Sequence, residues 1–379
     1  AIALSSCSSE ETTDVAKSSA ITFRPTVGLN SRGAEMTTND LNEMWVTGFY
    51  QKADEVYFSD LKFTKEKGTQ GTFIPSAPVF WQDGRTYKFV AISPAKSEWP
   101  TVLTITREAV TCENFEPKAD ISAQKDMLIK AVDANTDQWG KELELNFKHI
   151  LSQIQIKVKN GNENLVYNIK AVRINSVVGK KKLSYSTTTN NSTWGNIEGV
   201  TSNAKYTLTY ANPYTLDGKT TTELTLTSAD ATVENGGGAM LIPQNVTAWD
   251  GAKVDDTTPY NGGTYISIYL NVRMASGNKF MYPAGAQGDK TYGWVAIPVP
   301  AINWEEGNKY IYTLDMSTGC GKVDPVDPGE NVNPGGKDPN VPKDPEKGDN
   351  VFGKAIKFTV KVLEWTDKFA GTDNGKIEM

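Results

Sequence analysis

Histidine occurs once in this chain, at His149, and cysteine three times, at Cys7, Cys112 and Cys320. A single imidazole argues against most metal centres and His-based catalytic groups, since both need partners of defined type. His149 stands in Phe147-Lys148-His149-Ile150 without a paired motif nearby and reads as structural. An odd, small cysteine count does not build a disulfide framework, so Cys112 and Cys320 read as ordinary residues. Excess positive charge is also missing: the net charge is -6 and dispersed. That gives no case for nucleic acid or an anionic membrane surface as partner. No apolar run approaches the roughly 18–20 residues of a transmembrane helix. Asn235-Gly236-Gly237-Gly238 lacks the following Gly-Lys-Ser/Thr of a phosphate loop and reads as a turn. Together these absences leave no cofactor and no enzyme class with a sequence signature.

What the chain does have is short-period alternation, the mark of half-buried strands. Ile21–Val27, Glu43–Tyr50, Val56–Phe63, Thr86–Ile92, Thr101–Ile105 and Asp126–Ala131 read as strands. Turn signals such as Gln82-Asp83-Gly84 separate them. Ile121–Val132 is ambiguous between a short helix and a strand. A second block begins with Leu143-Glu144-Leu145-Asn146-Phe147 and continues through Ile154–Val158, Tyr167–Ile174, Tyr206–Tyr210, Glu223–Leu226, Ala239–Ile242, Tyr265–Val272, Trp294–Ile297 and Tyr310–Leu314. Lys180-Lys181-Lys182 and Thr187–Thr193 read as an exposed loop. The expected fold is all-β, with β-sandwiches over 20–140 and 141–321. Residues 1–19 form a leader, 322–350 a Pro/Gly/Asp-rich linker and 351–379 a terminal strand segment. The linker composition favours extended, solvated states. At about 3.1 Å per residue it would span on the order of 80 Å.

One pattern occurs near both ends. Ala20-Ile21-Thr22-Phe23-Arg24-Pro25-Thr26-Val27 and Ala355-Ile356-Lys357-Phe358-Thr359-Val360-Lys361-Val362 both read A-I-x-F-x-x-x-V. In the second, Ile356, Phe358, Val360 and Val362 share one face. A tethered strand that resembles an internal one can replace it, in the same molecule or a neighbour. At the other end, Leu4-Ser5-Ser6-Cys7 resembles a bacterial lipobox, followed by the polar spacer Ser8–Thr13. Ala1–Ser6 would then be the remnant of a signal peptide, and Cys7 the site of lipidation.

The order of several motifs resembles the fimbrillin-like (Mfa-like) family of Bacteroidales surface proteins. They are Ile21-Thr22-Phe23, Ser31-Arg32-Gly33-Ala34, Tyr87-Lys88-Phe89-Val90-Ala91 with Pro94, Leu145–Ile154, Leu241-Ile242-Pro243-Gln244, Trp304–Tyr312 and Ile356–Asp367. The resemblance implies a type V pilin of two transthyretin-like β-sandwiches, exported as an outer-membrane lipoprotein and found in cell-surface fimbriae. It further implies that an Arg- or Lys-specific protease cuts the loop after the first strand, here between Arg32 and Gly33. Removal of the strand bearing Ile21, Phe23 and Val27 would open a groove. A donor strand bearing Ile356, Phe358, Val360 and Val362 from another subunit would fill it. A stalk position fits a chain with an exchangeable C-terminal strand, and a host or bacterial surface ligand is a further possible partner. The alternative is a monomeric surface lipoprotein that binds glycans by stacking on aromatics such as Trp81, Trp99 and Trp194.

Overall fold

The computed structural model describes residues 20–27, 41–51, 55–69, 71–82, 84–219, 223–233, 236–277, 279–365 and 376–378. The fold is all-β, with three short 3-10 turns beside the strands among the described residues. In the first unit a seven-stranded sheet closes on itself. Its strand order is Phe23–Val27, Phe73–Pro75, Val56–Lys65, Glu43–Tyr50, Tyr87–Ser93, Leu128–Ala134 and Leu143–His149. Closure removes the exposed edges that an open sheet would present. The inside is filled by Phe23, Met44, Val46, Phe63, Phe89, Leu145 and their neighbours.

A four-stranded sheet covers the outside of this closed sheet. It is built from Thr104–Ile105, Ala109–Phe115, Lys181–Ser186 and Asn191–Gly195. Val90, Ile92 and Ile129 turn outward to meet Val110, Cys112, Leu183 and Tyr185. Tyr87–Ser93 is therefore buried on both faces, along its whole length. That explains a continuous apolar run where a half-buried strand would alternate. Ile121–Val132 resolves into both readings: a 3-10 turn at Ile121–Ala123, then the strand Leu128–Ala134.

The second unit packs two six-stranded sheets face to face. One centres on Ser152–Lys159 and Asn308–Asp315, which run parallel. The other centres on Leu165–Val177 and Tyr265–Met274, which run antiparallel. Ile154, Ile156 and Val158 of the first sheet meet Tyr167, Val172, Ile268 and Leu270 of the second in the largest core.

Three expectations change. Leu143–His149 does not open the second sandwich; it closes the first sheet by pairing parallel to Phe23–Val27. Nothing in its composition marks which unit its alternating face joins. Lys180–Lys182 and Thr187–Thr193 do not make an exposed loop: Lys181–Ser186 returns to the first unit and pairs with Ala109–Phe115, and Asn191–Gly195 pairs with Lys181–Ser186. The lysine run hid the alternation of Leu183 and Tyr185, both buried. Lys181 is itself buried; its ammonium donates to the Pro243 carbonyl at 3.1 Å, and burial lowers its pKa. Finally, 322–350 is not a solvated linker. It lies as a strap on the second unit, with Val323 and Asp324 fully buried.

Candidate functional site: the first and last strands

The first strand is seated deeply. Ile21, Phe23 and Val27 have no exposed surface, and Pro25 completes the inward row. The Phe23 ring meets Phe63 edge-on, with centroids 4.9 Å apart, and Phe89 at 5.4 Å. Along one side the strand pairs with five residues, Leu143–Phe147. Along the other it pairs through Phe23 and Phe73, and at its start the Ile21 amide donates to the Val79 carbonyl at 3.0 Å beside an Ala20–Phe80 bridge. Outward, Arg24 forms a 2.7 Å ion pair with Glu142, and Thr26 donates to Asn146 at 2.6 Å. A proline is tolerated here because its ring faces the core and its nitrogen needs no ladder partner. Without this strand, Leu143, Leu145 and Phe147 would floor an apolar groove, since all three are buried.

The C-terminal strand, Lys357–Glu364, lies elsewhere. It pairs antiparallel with Asn308–Asp315 at the margin of the second unit, Val360 opposite Tyr312. The backbone of Lys376–Glu378 pairs along its outer side. Its apolar face does point inward, but only Val360 is fully buried. Ile356, Phe358 and Val362 are partly buried against the core. The two segments that share a pattern thus occupy unlike sites, one parallel to its long neighbour and enclosed, the other antiparallel and marginal.

Just past this strand, Trp365 turns into the core beneath the four-stranded sheet, where it is 4 % exposed. Its indole stacks flat on His149, with centroids 3.8 Å apart and planes 2° apart. The imidazole Nδ1 lies 2.6 Å from Asp126 Oδ2, and both side chains are buried. The Trp365 amide donates to the Gly307 carbonyl at 2.6 Å. His149 is structural in sequence terms, but its partner Trp365 lies far along the chain, with no spacing to announce it.

Two buried carboxylates fix the strap. Asp324 Oδ1 accepts from Tyr265 at 3.0 Å and from the Val326 and Asp327 amides at 2.9 Å. Its Oδ2 accepts from Ser267 at 2.6 Å and from Arg173 at 3.2 Å. Asp344 accepts from the Ala284 and Asn333 amides at 2.8 and 2.9 Å. Burial raises the Asp344 pKa, and those two amides oppose the rise.

Cys7, Arg32 and Gly33 lie outside the described residues. Cys112 and Cys320 are free and sit in separate cores. Burial pushes both thiols up. Trp81 and Trp99 are buried, and Trp194 packs edge-on against Phe115. Among the described residues, no group of three or more His, Cys, Asp or Glu is placed to hold a metal ion.

Comparison with known proteins fits this architecture. A fimbrial protein from Bacteroides vulgatus aligns with a TM-score of 0.52 at 14% identity, covering 91% of this chain and 99% of its own. Candidate cell adhesion proteins from Bacteroides ovatus and Bacteroides uniformis align at TM-scores of 0.43 and 0.44, with 15% and 11% identity. These cover 79% and 92% of this chain, and 92% and 99% of their own. No curated protein matches significantly. The profile of the fimbrillin-like family matches residues 31–327, which spans most of both units. The chain belongs to the fimbrillin-like family.

Proposed function

We propose that this protein is a structural subunit of cell-surface fimbriae, in the stalk, and that it polymerises by strand exchange. In this reading it is exported as a lipoprotein on Cys7, reaches the outer membrane, and is cut after Arg32 by an Arg/Lys-specific protease. The first strand then leaves, and the C-terminal strand of another subunit takes its place.

One observation carries the reading. The C-terminal strand repeats the inward residues of the first strand, yet it buries only Val360 fully where it lies. In the place of the first strand, Ile356, Phe358, Val360 and Val362 would occupy the enclosed positions of Ile21, Phe23, Pro25 and Val27. Full burial of an apolar side chain is worth about 1.5–3 kcal/mol over exposure. Three partly buried residues would gain a fraction of that each, set against the ladder to Asn308–Asp315 and the Trp365 stack that the strand gives up. Transfer is opposed while the first strand remains attached, because a tethered strand has a high effective concentration. Excision removes that competitor. Burial of Trp81 and Trp99 argues against the glycan-binding alternative, which needs exposed aromatic faces.

Electron microscopy of purified protein before and after limited trypsin treatment, with N-terminal sequencing of the product, tests this. Fibres are expected only after a cut between Val27 and Leu41. Soluble monomer after a verified cut that removes the first strand would overturn the proposal.

A further inference from the structure

The first strand and the C-terminal strand bear on one shared element, Leu143–His149. Residues 143–147 of that element pair with the first strand. Its last residue, His149, carries the stack on Trp365. We propose that this element couples the two strands. While the first strand is in place, it keeps His149 under Trp365 and so keeps the C-terminal strand on its own subunit. Loss of the first strand loosens that hold. The biological meaning rests on the strand-exchange reading; the coupling itself is a property of the single subunit.

The ladder explains why Leu143–His149 is poised to respond. It forms five residue pairs with the first strand but only two, Leu128–His149 and Ile129–Lys148, with its other neighbour. Without the first strand, most of the element has no strand to pair with, and its backbone groups must find water. A strand held by two pairs at one end is a low-stability segment. Those two pairs, with the Ile150 amide donating to the Met127 carbonyl at 3.3 Å just beyond them, set the position of His149.

The stack is sensitive to that position. Two flat rings at 3.8 Å and 2° lose contact when either one tilts. Asp126 fixes the imidazole from one side through Nδ1. His149 Nε2 and Asp126 Oδ1 have no hydrogen-bond partner among the described residues. The ring is therefore oriented by one hydrogen bond and the stack.

Trp365 supplies much of the hold on the C-terminal strand. From Phe352 to Trp365 only Val360 and Trp365 are fully enclosed. The indole belongs to the core cluster that also holds Phe49 and Ile150 of the first unit's chain segment and Met240 and Ile242 from further along. Freeing Trp365 leaves a strand held by one enclosed valine, the partly buried Ile356, Phe358 and Val362, and its ladders to Asn308–Asp315 and Lys376–Glu378. A subunit built this way offers its donor strand only when its own groove is open, which suppresses premature association.

Amide hydrogen exchange on the full chain tests the coupling, with Phe23→Asp to expel the first strand, Trp365→Ala to remove the stack, and the double variant. Residues 265–274 serve as the control for folding of the second unit and 87–93 for the first. Each single variant should speed exchange at 357–364 tenfold or more and leave both controls unchanged. The double variant should be no faster there than Trp365→Ala alone, because coupled sites are not additive. If Phe23→Asp speeds exchange at 143–147 but leaves 357–364 protected, or if the two effects multiply, the coupling is wrong. Fibre formation does not enter this readout. Coupled exchange without fibres from cut protein would remove the strand-exchange reading alone. Fibres without coupled exchange would remove the coupling alone.

Discussion

Arg173 Nη2 lies 3.2 Å from Asp324 Oδ2, and its guanidinium covers the Trp294 ring at 4.0 Å from the centroid. The pair joins the second strand of the large sandwich core to the start of the strap. Asp324→Ala would leave Arg173, Tyr265 and Ser267 with a buried acceptor missing. Breaking a buried pair in this way costs about 3–5 kcal/mol. The loss should appear in denaturant unfolding of the purified protein, with early proteolysis between Val323 and Val351. A change under about 1 kcal/mol would mean that the strap is held by other contacts.

Phe23→Ala should destabilise the first unit by about 3–5 kcal/mol, since a fully buried aromatic is lost from an enclosed core. Phe358→Ala, at a partly buried site on the margin of the second unit, should cost clearly less in the same assay. Equal losses would contradict the unlike burial of these two matched residues.

In assembly the order should invert. Phe358→Asp should abolish fibres from cut protein, because it places an unpaired charge in the enclosed Phe23 position. Lys357→Asp, on the alternate face, should be much milder. Normal fibres from Phe358→Asp would remove the proposed register, since a slip by one residue turns the apolar face outward.

Arg32→Ala should leave a precursor that keeps its first strand and does not polymerise. N-terminal sequencing and electron microscopy read this directly. Maturation with an unchanged N-terminus would move the cut elsewhere.

Cys7→Ala should abolish incorporation of labelled fatty acid and reduce surface export in the native host. Unchanged labelling would end the lipidation proposal.

Alternation made the strands legible where one face met a core and the other met water. Glu43–Tyr50 has the boundaries its pattern predicts, and Lys357–Glu364 presents its apolar face as expected. Pairing was less legible. Leu143–His149 alternates equally well for either unit, and only its partner decides which core it joins. Lys181–Ser186 was obscured because the first of its three inward residues is a lysine within a run of three. The strap misled for a different reason. Its composition is that of a solvated segment, but Asp324 and Asp344 are satisfied by groups distant in sequence. A buried carboxylate with a complete set of donors reads, in one dimension, as any acidic residue. Trp365 and His149 were each visible, but nothing in the chain between them signals that they meet.

The strap bears on how a fibre would respond to force. It stays anchored as far as Lys354, whose amide donates to the Thr318 carbonyl at 3.1 Å. Only Ala355 then separates it from the first inward residue of the donor, Ile356. That step spans roughly 7 Å at an extended limit of about 3.3 Å per residue. Subunits joined through so short a connection would nearly abut. Tension along the filament would fall on buried carboxylates instead of uncoiling a slack tether, and the filament would stretch little before a subunit yields.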